Sequence, residues 1–390
     1  MLTAATAIPN TPKKFVEWSA VLIKLQRWRR EEIVAKVETS YLDKFEFNSI
    51  YFELTSRCNA RCSYCYNSST SMGKDIPYDK IIDVMCQAYM INNKTDFVLS
   101  GGEPLLHSNI IDIIDFACSN NSDVTLISNA YLLKKMSIYE GLSKCNIQVT
   151  IDSLNRVQHD NVRGEGSFDN IVNMQNIVPN LYNKKRILRV NLTRNNTQYI
   201  NDFCVFAVNN GYTILSFGFL VNQGRGQGNP LVIDYDIEAD KKIWFEVIHT
   251  IKECSERYKN DIAIERKNCY PKTGCELVNR KKPSMALRIA ANGNAFPCLY
   301  FNHEKHSLGN IFDNSLIEIL KGQRFLDLIN LLLYREDNIE GCKQCIWDKQ
   351  CFKGCPALAF SKYNSFENEI SCSFLKETFD KAIRAMRLEI

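Results

Sequence analysis

Residues 51–66 read YFELTSRCNARCSYCY and place Cys58, Cys62 and Cys65 in a Cys-x3-Cys-x2-Cys loop behind an apolar run. Three thiolates in one short loop can hold a metal centre with one corner open. A structural zinc site normally takes four protein ligands, so a set of three leaves an open catalytic position or calls for a distant fourth ligand. Iron–sulfur clusters also take four thiolates as a rule, and an iron left uncovered is a place where chemistry can happen.

Outward from this loop, the runs SIYFELT, DFVLSG, VTLISN, IQVTID, RILRVNLT and TILSFGFLV alternate with the helical stretches IIDVMCQAYMIN, IIDIIDFACSN, LLKKMSIYEGLS and FDNIVNMQNIV. That order predicts an α/β fold with a parallel sheet wrapped by helices. Six βα units are too few for a closed eight-stranded barrel and predict a partial, TIM-like (β/α)6 barrel. Reactive groups in such barrels gather at the C-terminal ends of the strands. Cys58 follows the first run, Gly101 the second, Asn129 the third and Asp152 the fourth.

The 390 residues allow two or three domains. Lys plus Arg number 48 against 44 Asp plus Glu, spread along the chain with no basic stripe, so no nucleic-acid partner is expected. No run approaches 18 apolar residues, so no membrane partner is expected, and the first residues lack the order of a secretory signal. The expected location is the cytoplasm. In that reducing setting the 16 cysteines read as metal ligands rather than disulfides. Five of them, Cys86, Cys118, Cys145, Cys204 and Cys254, stand singly and read as buried apolar residues.

Residues 1–48 form a helical extension in this reading. Phe15, Trp18, Val21, Leu22, Leu25 and Trp28 recur at spacings of three and four, giving an apolar face that packs on its own protein or docks a peptide. The partial barrel spans 49–260. It is interrupted by GRGQGNP (224–230) and closes with the long helical stretch ADKKIWFEVIHTIKECSERYK. Residues 261–372 are Cys-rich with few long periodic segments, and 373–390 read as a C-terminal helix. A region that buries little apolar area needs staples, which its cysteines supply. They run Cys269-x5-Cys275, Gly293-x4-Cys298, Cys342-x2-Cys345-x5-Cys351-x3-Cys355 and Cys372, enough for two full four-thiolate sets. A zinc ribbon remains open for the Cys-x2-Cys pair, and with it a non-enzymatic zinc scaffold.

With Tyr64 ahead of Cys65 and Gly101-Gly102-Glu103-Pro104 after the second run, the first motif resembles the cluster loop of radical S-adenosylmethionine (radical SAM) enzymes. The C-terminal set resembles their SPASM extension, which carries two auxiliary 4Fe–4S clusters. The resemblance covers residues 50–372 and implies three clusters. Cys58, Cys62 and Cys65 would hold the SAM-binding one. Interleaved ligation would assign Cys269, Cys275, Cys298 and Cys355 to an inner auxiliary cluster, and Cys342, Cys345, Cys351 and Cys372 to an outer one, with Gly293 in the hairpin turn that presents Cys298. SAM contacts would fall on the Gly101–Pro104 segment, with Glu103 at the ammonium, and on Ser128, Asn129, Thr150, Asp152 at the ribose and Arg163 near the carboxylate. The implied chemistry is reductive cleavage of SAM to a 5'-deoxyadenosyl radical that abstracts hydrogen from substrate, with flavodoxin or ferredoxin as electron donor.

Clusters with every corner filled suit electron transfer, so the resemblance implies a net oxidation. Sulfatase-maturating relatives place Asp directly after the Gly-x4-Cys cysteine; Leu299 stands there, which argues against formylglycine formation although Tyr300 or His303 could replace the base. Full ligation disfavours redox-neutral epimerisation. What remains is an oxidative maturase of a ribosomally made precursor peptide, forming a carbon–carbon, carbon–oxygen or thioether cross-link, with the three-residue cyclophane as preferred subtype. The rival is a dehydrogenase of a small molecule such as a sugar or aminoglycoside. Many peptide maturases begin with a leader-binding domain of strands and helices, whereas residues 1–48 read as helix alone.

Overall fold

Four of the six apolar runs carry adjacent buried residues and so are buried on both faces, as parallel strands between helices and a barrel interior require. The computed structural model describes residues 45–120, 122–136, 139–177, 184–234, 237–267, 275–279, 282–348, 351, 353–366, 372, 375–377 and 379. The N-terminal apolar face, Cys269 and nearly all of the C-terminal helix expected from the sequence lie outside the described residues.

β1 (Glu46–Thr55), β2 (Asp96–Gly101), β3 (Val124–Ile127), β4 (Asn146–Ile151), β5 (Arg186–Leu192) and β6 (Ile214–Phe219) match the six runs. They pair in chain order, each parallel to the next. The sheet then extends at both sides. β7 (Ala263–Arg266) adds in parallel to β6, and β8 (Ser284–Ile289) adds in parallel to β1. β9 (Asn294–Phe296) and β10 (Gly309–Asn310) follow β8 as antiparallel strands. The described order is β10-β9-β8-β1-β2-β3-β4-β5-β6-β7, an unclosed partial barrel. It runs across residue 260, and Lys44–Ile390 form one compact unit.

Along β1 the side chains alternate. Ile50, Phe52 and Leu54 are fully buried on one face, where Phe52 packs on Phe97 of β2 and Phe97 meets the Tyr89 ring edge-on at 5.4 Å. Tyr51, Glu53 and Thr55 take the other face, toward the barrel interior.

The helices are α1 (Tyr78–Ile91), α2 (Ile110–Ser119), α3 (Leu133–Met136), α4 (Arg156–Arg163), α5 (Ser167–Ile177), α6 (Ile200–Asn209) and α7 (Glu238–Arg257). Sequence reading missed two of them. α4 (RVQHDNVR) is short and polar with His159 as its buried residue, so no 3.6-residue stripe announces it. α6 does carry a stripe, Ile200, Phe203, Cys204 and Ala207, all buried.

The Cys-rich part is more regular than its sequence suggests. It contains α8 (Leu316–Lys321), α9 (Gln323–Asn338) and α10 (Pro356–Tyr363). α8 opens with a capping box in which Ser315 and Glu318 exchange hydrogen bonds. α9 buries Phe325, Leu328, Ile329 and Leu332, and Phe325 meets Phe45 edge-on at 5.3 Å. Among the described residues no helix is long and apolar enough to cross a membrane.

Candidate active site

The first cysteine loop leaves the C-terminal end of β1 and is held by main-chain hydrogen bonds and by a few side chains. The Cys58 N–H donates to Thr70 O (2.6 Å), Ser63 N–H to Val162 O (2.8 Å) and Ser68 N–H to Cys65 O (3.1 Å). Arg57 anchors its base with a two-pronged contact to Asp75 (3.0 and 2.5 Å) and a bond to Leu106 O (2.8 Å). Asn129 Nδ2 reaches Cys58 Sγ at 3.6 Å and Asn59 Oδ1 at 2.8 Å, tying the end of β3 to the loop.

Gly101 and Gly102 are required by the approach of two backbones. A Cβ on Gly101, whose φ is +131°, would lie 2.4 Å from Thr55 O, and one on Gly102 would lie 2.0 Å from Arg57 O. Gly102 N–H and Glu103 N–H bond those same two carbonyls at 2.7 and 2.8 Å. Pro104 then opens a short 3-10 turn capped by Glu103. The Glu103 carboxylate is completely buried and accepts from Ser128 Oγ (2.9 Å), Asn129 N–H (2.8 Å) and Leu105 N–H (3.3 Å). Burial pushes its pKa up to about 7 against these donors.

Asp152, after β4, forms an ion pair with Arg163 at the end of α4, and the Arg163 guanidinium lies 5.9 Å from the centre of the buried Tyr64 ring. The structure thus joins three predicted cofactor contacts to one another. Thr150 lies near them on β4, nine-tenths buried, paired in register with Arg189 of β5.

Three residues that sequence reading missed position Asp152. Asn191 Nδ2 donates to its Oδ1 (3.3 Å), Asn196 Nδ2 donates to its carbonyl (2.9 Å), and its own N–H donates to His159 Nδ1 (3.2 Å). With Nδ1 accepting, the His159 proton sits on Nε2 and faces Ser167 Oγ at 3.2 Å. Burial lowers the His159 pKa to about 4, keeping the ring neutral.

The turn after β6 contributes a further missed residue, Arg225. Its N–H donates to Cys65 O (3.0 Å), its Nε to Cys62 O (2.9 Å) and its Nη1 to Ser69 O (2.8 Å), so it clamps the cluster loop from the far side of the barrel. Gly224, at φ +57°, lets the turn come this near; a Cβ there would lie 2.2 Å from Tyr66 O. The neighbouring Gln223 donates to Tyr300 O at 2.9 Å. The signal in the sequence was GRGQG itself, which reads only as a break until the loop it meets is known.

The second cysteine set begins with the β8–β9 hairpin. Gly293, at φ +86°, makes its turn, and Cys298 follows β9. Cys275 precedes a 3-10 turn at Glu276–Val278, and Cys355 caps α10. Burial first, then Cys355 and Cys298, push the Cys275 thiol far up; burial, then Cys298, push Cys355 up to about 12. A separate group forms around Cys342, pushed up to about 11 by burial and held there by Cys351 and Cys372 against Lys353. The Cys345 N–H donates to Cys342 O (2.9 Å), one turn away. In the first loop, burial pushes Cys58 up to about 11, and Glu103, Cys62 and Cys65 add to it.

Four of the five single cysteines meet in pairs. Cys118 and Cys145 place their sulfurs 3.7 Å apart, and Cys204 bonds Cys254. Cys86 is buried on α1.

Among the described residues, no three His, Cys, Asp or Glu side chains converge closely enough to share one metal ion. A four-iron cluster is larger than an ion and takes thiolates that stand farther apart. Buried thiols that raise one another's pKa are costly to ionise without a cation, and bound iron reverses that cost, so all three groups fit such clusters.

The family model of the Radical SAM superfamily matches residues 52–184, and that of the iron–sulfur cluster-binding domain SPASM matches residues 275–346. The chain is a radical SAM enzyme with a SPASM domain. Its cofactors are S-adenosylmethionine and 4Fe–4S clusters. The enzyme is 25% identical over 337 residues to the antilisterial bacteriocin subtilosin biosynthesis protein AlbA of Bacillus subtilis, a match covering 83% of this chain and 70% of AlbA. It is also 25% identical over 347 residues to the AdoMet-dependent heme synthase of Methanosarcina barkeri, covering 83% of this chain and 96% of the synthase. Its fold overlays that of Streptococcus suis SuiB bound to precursor peptide SuiA with a TM-score of 0.65 at 14% identity, over 95% of this chain and 82% of SuiB.

Proposed function

We propose that the enzyme is a cytoplasmic maturase that oxidatively cross-links side chains of a ribosomally made precursor peptide, with three 4Fe–4S clusters and with flavodoxin or ferredoxin as electron donor. The observation that carries the oxidative part is the sorting of the second cysteine set into two thiol groups that interleave along the chain, Cys275, Cys298 and Cys355 against Cys342, Cys351 and Cys372. Cys269 and Cys345 complete the two sets of four. Closed clusters of this kind accept electrons and leave substrate binding to the barrel. The likeness to AlbA supports a peptide substrate, and the preferred product is a three-residue cyclophane closed at a carbon–carbon or carbon–oxygen bond. The domain reading that accompanies it is a helical extension to residue 48, a barrel to 260, a cluster domain to 372 and a terminal helix.

When bound, SAM and the first cluster supply hydrogen-atom abstraction through the 5'-deoxyadenosyl radical. Cys58, Cys62 and Cys65 hold that cluster, and the clamp from Arg225 keeps the loop in one shape. Glu103, buried and poised near neutrality, gains a partner when the ammonium of SAM arrives and ionises fully. Asp152 serves the ribose and Arg163 the carboxylate, while Tyr64, Gly101, Gly102, Pro104, Ser128, Asn129 and Thr150 line the approach. The match to the heme synthase over nearly its full length favours a small-molecule oxidation as the second reading.

The test is anaerobic incubation of reduced enzyme with SAM and any short precursor peptide found encoded beside its gene. The expected result is loss of two hydrogens per modification, from a protein holding about twelve irons. Solvent deuterium uptake without a mass loss would instead mean epimerisation, and an unmodified peptide with oxidation of a sugar would select the second reading.

A further inference from the structure

Two buried charges link the first cysteine loop to Cys298. Tyr51 of β1 and Arg288 of β8 are register partners, and Glu53 lies two residues farther along β1 on the same interior face. Glu53 is 2% exposed and Arg288 is 5% exposed. Glu53 Oε1 stands 3.2 Å from Arg288 Nε. The Nε proton is not aimed at the carboxylate, so the contact is an ion pair more than a hydrogen bond.

On one side of the pair, Tyr66, the residue after Cys65, donates its hydroxyl to Glu53 Oε1 at 3.2 Å. On the other, Arg288 Nη1 donates to Leu299 O (3.4 Å) and Phe301 O (3.3 Å), and the guanidinium lies over the Phe296 ring at 4.6 Å. Arg288 therefore holds the carbonyls on the C-terminal side of Cys298 and brings a permanent positive charge to that loop.

A buried pair of this kind is a poor device for stability, because desolvation offsets most of its attraction. It is an effective device for electrostatics, since a fixed charge in a dry interior acts strongly on a neighbouring centre. Net charge and hydrogen bonding around a cluster set its reduction potential. We propose that Arg288 raises the reduction potential of the cluster ligated by Cys298, and that Glu53 is the counter-charge that limits the rise. This rests on the reading of Cys298 as an auxiliary-cluster ligand. In the oxidation, substrate loses one hydrogen atom to the 5'-deoxyadenosyl radical, then one electron to this cluster and one proton to solvent. The cation favours the cluster's side of the electron step.

The test uses the full chain carrying Cys58→Ala, Cys62→Ala and Cys65→Ala, so that the remaining signals come from the C-terminal clusters, followed by EPR during a redox titration. Loss of one signal on Cys298→Ala identifies the inner cluster. Arg288→Met is expected to move its midpoint to lower potential, Glu53→Gln to higher potential, and Arg288→Lys to leave it near the native value. The Cys342 cluster is the internal reference and should not move. Opposite shifts from the two charge changes are not produced by loosened packing. Unchanged midpoints, or shifts of the same sign in Arg288→Met and Glu53→Gln, overturn the proposal while leaving the cluster assignment standing. A parent with no signal sensitive to Cys298 overturns both.

Discussion

The two cysteine regions are built in opposite ways. The loop of Cys58, Cys62 and Cys65 grows out of a parallel sheet, with backbone hydrogen bonds to Thr70, Val162 and the Gly101–Glu103 segment and with Arg57, Asn129 and Arg225 bracing it from elements of the barrel. The C-terminal set hangs on short turns and on two buried cations. Arg335 donates to Phe366 O (2.8 Å) and Lys353 O (2.9 Å), while Lys353 pairs with Asp348 (2.8 Å) and bonds the Glu336 carbonyl. A site framed by a sheet can exist before its metal. A site framed by turns draws much of its order from the metal itself.

Iron removal is the strongest way to break this contrast. Chelation should raise amide exchange across residues 342–366 by orders of magnitude, measured by mass spectrometry, while β2 to β5 stay protected. Equal loss of protection in both regions would sink the comparison. Next in size, Cys58→Ala should abolish SAM cleavage, a loss of at least about 1,000-fold, yet leave about eight of twelve irons in place. Retention of only four would mean that the two regions depend on each other.

A third effect belongs to Glu103. Its carboxyl keeps its proton in the folded chain up to about pH 7, whereas its ordinary pKa is 4.5. Between those values the folded state binds more protons than the unfolded state, so stability falls as pH rises through that window. The fall amounts to about 3 kcal/mol, read by urea unfolding of SAM-free enzyme, and Glu103→Gln should flatten it. Arg225→Ala is smaller, about 2 kcal/mol for the lost charged hydrogen bonds. It should raise exchange at residues 62–69 and leave the Cys298 loop protected, and no change at 62–69 would remove Arg225 from the site.

Much of the barrel could be read from the sequence because buried parallel strands are nearly continuous apolar runs, and the strand ends then locate Cys58, Gly101, Ser128 and Asp152 together. The remainder depends on pairings that leave no local trace. β8 (SMALRI) is six residues long and joins β1 across more than 200 residues of chain, so nothing near it announces a parallel strand. Glu53 reads as one polar residue in an apolar run until Arg288 stands beside it. Asp152 was legible as a strand-end carboxylate, but His159 reaches it from α4 and Asn191 and Asn196 from the end of β5 and the turn after it. The predicted boundary at residue 260 follows a change in composition, and the sheet continues past it.

The position of β1 between β2 and β8 also governs how the protein is made. During synthesis the first cysteine loop emerges early, but β1 keeps one unpaired edge until Ser284–Ile289 have left the ribosome. Unpaired strand edges recruit other chains. A nascent or truncated product ending before Ser284 should therefore aggregate, even with every residue of the first loop present, which makes β8 the closing piece in the biogenesis of the site that starts the reaction.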